Sequence, residues 1–157
     1  MIDFMQEAIK LAKKAYKKGE VPIGAVIVLN GKILAKAYNK RETKQQAIAH
    51  AEVLAIQKAC KKLKSWRLDN CDIYCTLEPC FMCSGAILNA RIANVYFGAY
   101  EQKSGSAISK YNVFKDSGLN HTCNVVGGIQ EEECKNLLQN FFSELRLKDK
   151  IYLKKDK

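Results

Sequence analysis

Asp72-Ile73-Tyr74-Cys75-Thr76-Leu77, then Glu78-Pro79, then Cys80-Phe81-Met82-Cys83-Ser84-Gly85-Ala86-Ile87-Leu88-Asn89, then Ile92-Ala93-Asn94-Val95-Tyr96-Phe97: this run decides the fold. Its first and last segments have strand composition, and the segment behind Pro79 has helix composition. Strand, helix and strand in so short a span form a crossover unit, which makes the two strands parallel.

The flanking segments follow from their periodicity. Upstream, Ala51 to Leu63 returns to helical spacing. Gly24 to Leu29 and Lys32 to Tyr38 are apolar-rich runs joined by Asn30-Gly31, the strongest short-range sign of a hairpin. Ile2, Met5, Ile9, Ala12 and Tyr16 form a helical stripe with lysines mostly off it, and Gly19 is a fitting stop, so residues 2–18 are expected to be an amphipathic helix. Downstream, a short strand is expected at Asn124 to Val126. Glu131 to Leu147 then forms a helix with Leu137, Leu138, Phe141, Phe142 and Leu145 as its apolar set. The economical packing is a mixed sheet with helices on both faces.

Composition bounds the rest. With 157 residues, 48% of them hydrophobic, residues 1–157 read as one globular domain, and a chain of this size buries roughly 70% of its unfolded surface. The longest apolar stretch, Val21 to Leu29, is broken by Pro22 and Gly24 and falls short of the ~20 residues of a membrane helix. Asp3 and Glu7 near the start fit neither a signal nor a transit peptide, so the expected location is cytoplasmic. Seven cysteines, an odd count without a secretory signal, point to reduced thiols rather than a disulfide framework. Cys60, Cys123 and Cys134 read as small buried hydrophobes. A net charge of +10 favours polyanionic partners, but a lysine-rich solvated surface accounts for it equally well.

The chemistry is carried by His50-Ala51-Glu52 together with Pro79-Cys80-Phe81-Met82-Cys83. One imidazole and two thiols supply three ligands for a tetrahedral metal, a fourth position stays open for water, and Glu52 is a spare carboxylate. Catalytic zinc sites keep such a position open, whereas structural ones close it. His-x-Glu followed by Pro-Cys-x-x-Cys is the zinc-deaminase pattern. Residues two apart in mid-helix diverge, so His50 is expected at the start of its helix, with the site off the helix end. Cys80 and Cys83 share a face and also begin a helix. Two helix N-termini then converge on the metal and favour thiolate. Two thiolates and a neutral His50 leave the Zn²⁺ centre formally neutral, so a nearby base matters, and Glu52 is the group to shuttle protons.

A closed all-thiolate site from Cys71, Cys75, Cys80 and Cys83 competes with this arrangement. However, Cys71, Ile73, Cys75 and Leu77 alternate onto one strand face, which suits core packing, and His50-Ala51-Glu52 would then go unexplained. His121, the other histidine, has no nucleophile-elbow pattern beside it and reads as a turn or surface residue.

With these residues in view, the chain resembles the bacterial tRNA-specific adenosine deaminases over nearly its whole length. Besides the metal motifs, the stretches that carry the likeness are Val21-Pro22-Ile23-Gly24-Ala25-Val26, Ala49-His50-Ala51-Glu52, Trp66-Arg67-Leu68, Thr76-Leu77-Glu78-Pro79-Cys80, Phe97-Gly98-Ala99, Asn120-His121, Glu132-Glu133-Cys134 and Phe141-Phe142. The metal motifs define only the superfamily; Trp66-Arg67-Leu68 and Phe141-Phe142 favour the tRNA branch. The resemblance implies an α/β fold of the three-layer α-β-α, cytidine-deaminase-like kind, with a mixed five-stranded sheet. It implies conversion of adenosine to inosine at the wobble position of tRNA. His50, Cys80 and Cys83 would hold one Zn²⁺ per subunit and Glu52 would move protons. Asn39 and the Ala51 backbone would read the base, and Val21, Leu77 and Pro79 would line the pocket. Glu101, where the family usually has aspartate, would lie near the neighbouring nucleotide, and Phe142 would touch the substrate. The partners implied are a tRNA anticodon stem-loop and a second copy of the chain in a homodimer.

Lys40, Arg41, Lys44 and Lys103 flank these segments, and Arg146, Lys148 and Lys150 extend the last helix. They are candidates for phosphate contacts, and each is equally read as a solvated charge. Two other functions use the same motifs: a deaminase of free guanine, cytosine or a nucleoside, and a non-catalytic zinc-stabilised RNA-binding protein. The first gains little from a basic surface. The second has no need of Glu52.

Overall fold

Strand alternation sorts the core into two layers. In the computed structural model, which describes residues 1–115 and 118–155, Ala25, Ile27, Ile73, Cys75, Val95 and Phe97 point to one side of the sheet. Val26, Val28 and Tyr74 point to the other. The strands are β1 (Gly24–Leu29), β2 (Lys32–Tyr38), β3 (Asp72–Leu77), β4 (Asn94–Ala99) and β5 (Asn124–Val126). They lie in the order β2-β1-β3-β4-β5. β1 is antiparallel to β2 and β3, while β3–β4 and β4–β5 are parallel.

Helices cover both faces. On one side α1 (Phe4–Lys17) and α5 (Glu131–Lys155) supply Met5, Ala8, Ile9, Leu11 and Cys134. On the other, α3 (Ala51–Leu63) and α4 (Phe81–Asn89) supply Leu54, Ala55, Ala59 and Ile87. α2 (Arg41–Lys44) is a single turn on the loop between β2 and α3. Burying each large side chain such as Phe97, Ile73 or Ile87 stabilises the fold by roughly 1.5–3 kcal/mol. The three-layer mixed sheet expected from the sequence is therefore present. No helix among the described residues is long and apolar enough to cross a membrane.

Local chemistry explains the boundaries. Asn30 and Gly31 both take positive φ, 51° and 73°, as a type I′ hairpin turn requires. Gly24 lets α1 approach β1, because a Cβ there would stand 2.1 Å from the Ala8 carbonyl oxygen. α1 starts at Phe4 rather than Ile2, since the Asp3 carboxylate caps it by accepting from the Gln6 N–H at 3.1 Å. β4 starts at Asn94 rather than Ile92, whose N–H still closes the turn after α4 on the Ile87 carbonyl. α5 runs on to Lys155 rather than ending at Leu147, because residues 148–155 contain no glycine or proline to stop it.

α2 was not legible in the sequence. Its maker is Glu20, only 1% exposed, whose carboxylate accepts from the backbone N–H groups of Glu42 at 3.0 Å and Thr43 at 2.8 Å. Burial alone would raise the Glu20 pKa. The Thr43 hydroxyl, these two N–H groups and the Arg41 charge outweigh it, and the net shift is downward. A depressed carboxylate contributes stability above its unfolded pKa and loses it as pH falls through the folded value. Wild type should therefore lose more stability than Glu20→Gln as pH drops below the ordinary glutamate value of 4.5. Urea midpoints of the two proteins at about pH 7 and about pH 3.5 measure the difference.

Candidate metal centre and substrate cleft

Both predicted ligand segments occupy helix N-caps. His50 caps α3 with φ −75° and ψ 152°, and Cys80 caps α4 with φ −73° and ψ 178°. The His50 imidazole makes no bond to its own helix, unlike the usual Ser, Thr or Asp cap, while Cys80 meets its helix through Cys83. The extended backbone instead throws the imidazole and the thiol off the helix ends toward each other. Cys83 follows three residues behind Cys80, on the same side of α4.

His50 Nδ1 stands 3.7 Å from Cys80 Sγ and 3.5 Å from Cys83 Sγ, and the three ligand atoms lie within 4.8 Å of one another. Tetrahedral zinc with Zn–S near 2.3 Å and Zn–N near 2.0–2.1 Å calls for an S···N separation of about 3.5 Å. The donor set and its spacing fit such an ion. Cys71 and Cys75 are not in the cluster. They are fully buried among Ile73, Ile87 and Leu68, so the four-cysteine arrangement does not form.

Glu52 sits in the first turn of α3, 4% exposed, and its Oε2 accepts from the Cys83 thiol at 2.8 Å. Burial is the main cause of its raised pKa. Of the two sulfurs, Cys80 is the more acidic. Its pKa is lowered to about 4 by the hydrogen bond from Cys83 and, against some burial, by His50. Cys83 is pushed up by the same partner, by burial and by Glu52. The hydrogen bond to Cys80 raises the His50 pKa.

Above this cluster opens a cleft of about 960 Å³. Val21, Asn39, His50, Leu77, Glu101 and Phe142 line it, and Arg41, Lys103, Lys135 and Arg146 bring positive charge to it. Ala51 and Pro79 lie buried behind the wall. Glu52, Cys80 and Cys83 are also absent from the lining, so His50 is the metal-set residue that reaches the cleft. Lys40 and Lys44 do not line it either. The Asn39 side chain is anchored, its Oδ1 accepting from the Arg41 N–H at 3.1 Å and its Nδ2 donating to the Val21 carbonyl at 3.4 Å. His121 is half-buried with Nε2 at 2.8 Å from the Ile92 carbonyl oxygen, a contact that belongs to the fold.

Glu78 is the residue whose role the sequence reading missed. It is 2% exposed and accepts from the backbone N–H groups of Glu101 (3.1 Å), Ala107 (3.2 Å), Ile108 (2.8 Å) and Ser109 (2.9 Å) and from the Ser109 hydroxyl. Burial raises its pKa, and the Ser109 hydroxyl and these N–H groups more than reverse that. Glu78 thus ties the loop bearing Glu101 and Lys103 to the chain just before Cys80. The available signal was an acid between a strand and Pro79 with no basic neighbour in sequence.

Known proteins resemble this chain over most of its length. A family model described as MafB19-like deaminase matches residues 2–146. Fold and site together define a deaminase. A tRNA-specific adenosine deaminase of Bacillus subtilis (strain 168) is 53% identical over 147 residues, 94% of this chain and 91% of that protein. A solved structure from work on A-to-I editing deaminases at the wobble position of transfer RNA superposes with TM-score 0.83 at 40% identity, over 86% of this chain and 98% of that one. A guanine deaminase structure from Bacillus subtilis is also similar, with TM-score 0.61 and 41% identity over 71% of each chain. The chain belongs to the family of tRNA-specific adenosine deaminases.

Elemental analysis of purified protein separates the ligands from the core cysteines. Cys83→Ser should lose bound metal. Cys75→Ser should keep it, at a stability cost of about 1–3 kcal/mol for burying a hydroxyl.

Proposed function

We propose that this chain hydrolytically deaminates adenosine to inosine at the wobble position of tRNA, as a single domain using one Zn²⁺ held by His50, Cys80 and Cys83. The observation that carries the reading is the buried, unliganded Glu52 beside a three-donor cluster, under a cleft bordered by cations. Zinc in that cluster supplies Lewis-acid polarisation of a water.

The chain's own residues do the rest. Glu52 takes one proton from water as oxygen adds to C6 of adenine, then delivers it to N1. The second proton leaves on the departing amine, so breakage of the C6–N bond releases ammonia and leaves a C6 carbonyl. Buried and left out of the ligand set, Glu52 is placed both to accept and to return a proton. Asn39, held by Arg41 and Val21, presents its remaining amide N–H to the base, with the Ala51 backbone beside it. Val21, Leu77 and Pro79 shape the pocket, while Glu101 and Phe142 meet the neighbouring nucleotides. A base must leave its stack or start in a loop for such chemistry, and an anticodon loop meets that need. Cations at the cleft suit an RNA substrate in the cytoplasm more than a free base, which is why the guanine-deaminase likeness does not decide the substrate.

The same reading includes a homodimer. Phe81, directly after Cys80, is 61% exposed and packs edge-on against Tyr111, itself 48% exposed. An exposed aromatic pair beside the metal helix is apolar surface suited to a subunit contact. Sedimentation of wild type should give twice the chain mass, and Phe81→Lys should shift it toward the monomer.

Glu52→Ala should retain metal and RNA binding while inosine formation, read by mass spectrometry, falls on the order of 10³-fold. Near-wild-type turnover would remove Glu52 from the mechanism. An anticodon hairpin should be deaminated and free adenosine or guanine barely so; equal efficiency on hairpin and free nucleoside would favour the small-substrate reading.

A further inference from the structure

Glu78 divides its two carboxylate oxygens unequally. Oε2 accepts from three consecutive N–H groups, those of Ala107 at 3.2 Å, Ile108 at 2.8 Å and Ser109 at 2.9 Å. Oε1 accepts from the Glu101 N–H at 3.1 Å and from the Ser109 hydroxyl. The first set closes the loop, and the second fixes Glu101. Glu101 is held at two further atoms. Its carbonyl accepts from the Gly105 N–H at 2.8 Å, and its Oε1 accepts from the Lys103 N–H at 3.0 Å. That leaves Oε2 of this cleft-lining residue without a partner among the described residues. An acceptor already held at three points has little freedom left to lose when a ligand meets it.

The same clamp is registered against the chain leading into the metal helix. The Glu78 N–H donates to the Ala99 carbonyl at 2.9 Å, and the Pro79 carbonyl accepts from the Ser106 N–H at 2.9 Å. Gly105 sits inside it. A Cβ there would stand 2.6 Å from Glu78 Oε1 and closer still to the Glu101 carbonyl oxygen.

Resting on the RNA-substrate reading above, we propose that Glu78 is a positioning residue for substrate capture: through the Glu101 N–H it holds the Glu101 carboxylate at a set place relative to the metal cluster, so that the nucleotide beside the target base meets a preformed acceptor. Glu78 belongs neither to the ligand set nor to the cleft lining, so it acts only through the loop. Proton transfer stays with Glu52.

Glu78→Gln separates this role from general support of the loop. Three N–H groups demand an acceptor, so the amide oxygen takes the place of Oε2 and the amide nitrogen faces the Glu101 N–H, donor against donor. The Ser109 hydroxyl can turn to accept from it. The substitution thus releases Glu101 and keeps the other three bonds.

The test is a double-mutant cycle on the full-length, metal-loaded chain: wild type, Glu78→Gln, Glu101→Ala and the double variant, each assayed on an anticodon hairpin with inosine read by mass spectrometry. Glu78→Gln should keep its metal and raise KM about tenfold, the size of one hydrogen bond to a charged group, with kcat within about twofold of wild type. Added to Glu101→Ala it should cost less than about twofold more, since both remove one contact. Hydrogen exchange should quicken at the Glu101 amide and stay slow at Ile108 and Ser109. Fully additive losses, an unchanged KM, or exchange quickened across the whole loop overturns the proposal. Should Glu78→Gln not fold, Gly105→Ala, which presses on Glu101 from the other side, carries the same cycle with the same expectations. A wild type that forms no inosine in the hairpin sinks the substrate reading and the positioning role together; inosine formed with an unmoved KM removes the positioning role alone.

Discussion

The site depends on two helix N-termini aimed at one point. α3 and α4 begin with the capping residues His50 and Cys80, whose side chains turn toward each other and, with Cys83, form the candidate metal cluster. Each terminus carries roughly half a positive charge, which adds to the groups that favour thiolate at Cys80. Aim of this kind needs a rigid mount. β1 and β3, antiparallel neighbours in the middle of the sheet, provide it, because α3 packs across β1 and β2 while α4 leaves the end of β3. The parallel β3–α4–β4 unit then brings Ala99 level with Leu77, so the loop after β4 faces the loop before α4 across the cleft.

Polar groups buried near the site act as fasteners. Glu20 builds the short turn that carries Arg41, and Arg41 in turn holds the Asn39 side chain. Glu78 gathers the loop after β4. Both carboxylates are satisfied by backbone N–H groups instead of basic side chains. Such pairing keeps an ionised group tolerable at very low exposure, because each donor offsets part of the desolvation cost. Among the described residues no buried side-chain polar atom lacks a partner.

Much of this was legible from residue order. The Asn30-Gly31 turn, the alternating strand that buries Cys71 and Cys75, and the paired ligand motifs each express a short-range rule, and each reappears in the structure. The missed features have long-range causes. α2 exists because Glu20, 22 residues before Glu42, caps it, and nothing in residues 41–44 announces a helix. The Glu78 contacts span up to 31 residues and depend on a loop shape that no periodicity encodes. The cleft cations show both sides: Arg41, Lys103 and Arg146 were candidates by proximity to motifs, whereas Lys135 reaches the cleft only through the packing of α5. The starts of α1 and β4 moved inward because a cap and a turn bond compete with the periodic pattern.

The knot of N–H groups around Glu78 separates what that segment can vary from what it must keep. Glu101, Ala107, Ile108 and Ser109 meet the carboxylate mainly through main-chain atoms, so the identity of most of these side chains is decoupled from the shape of the loop. Gly105 is the exception, since any Cβ there would press within 2.6 Å of the Glu78 carboxylate. An outward-facing group such as Lys103 can therefore be exchanged at little architectural risk, whereas Glu101 also accepts from the Lys103 N–H at 3.0 Å, and insertions or deletions in this loop would untie the anchor.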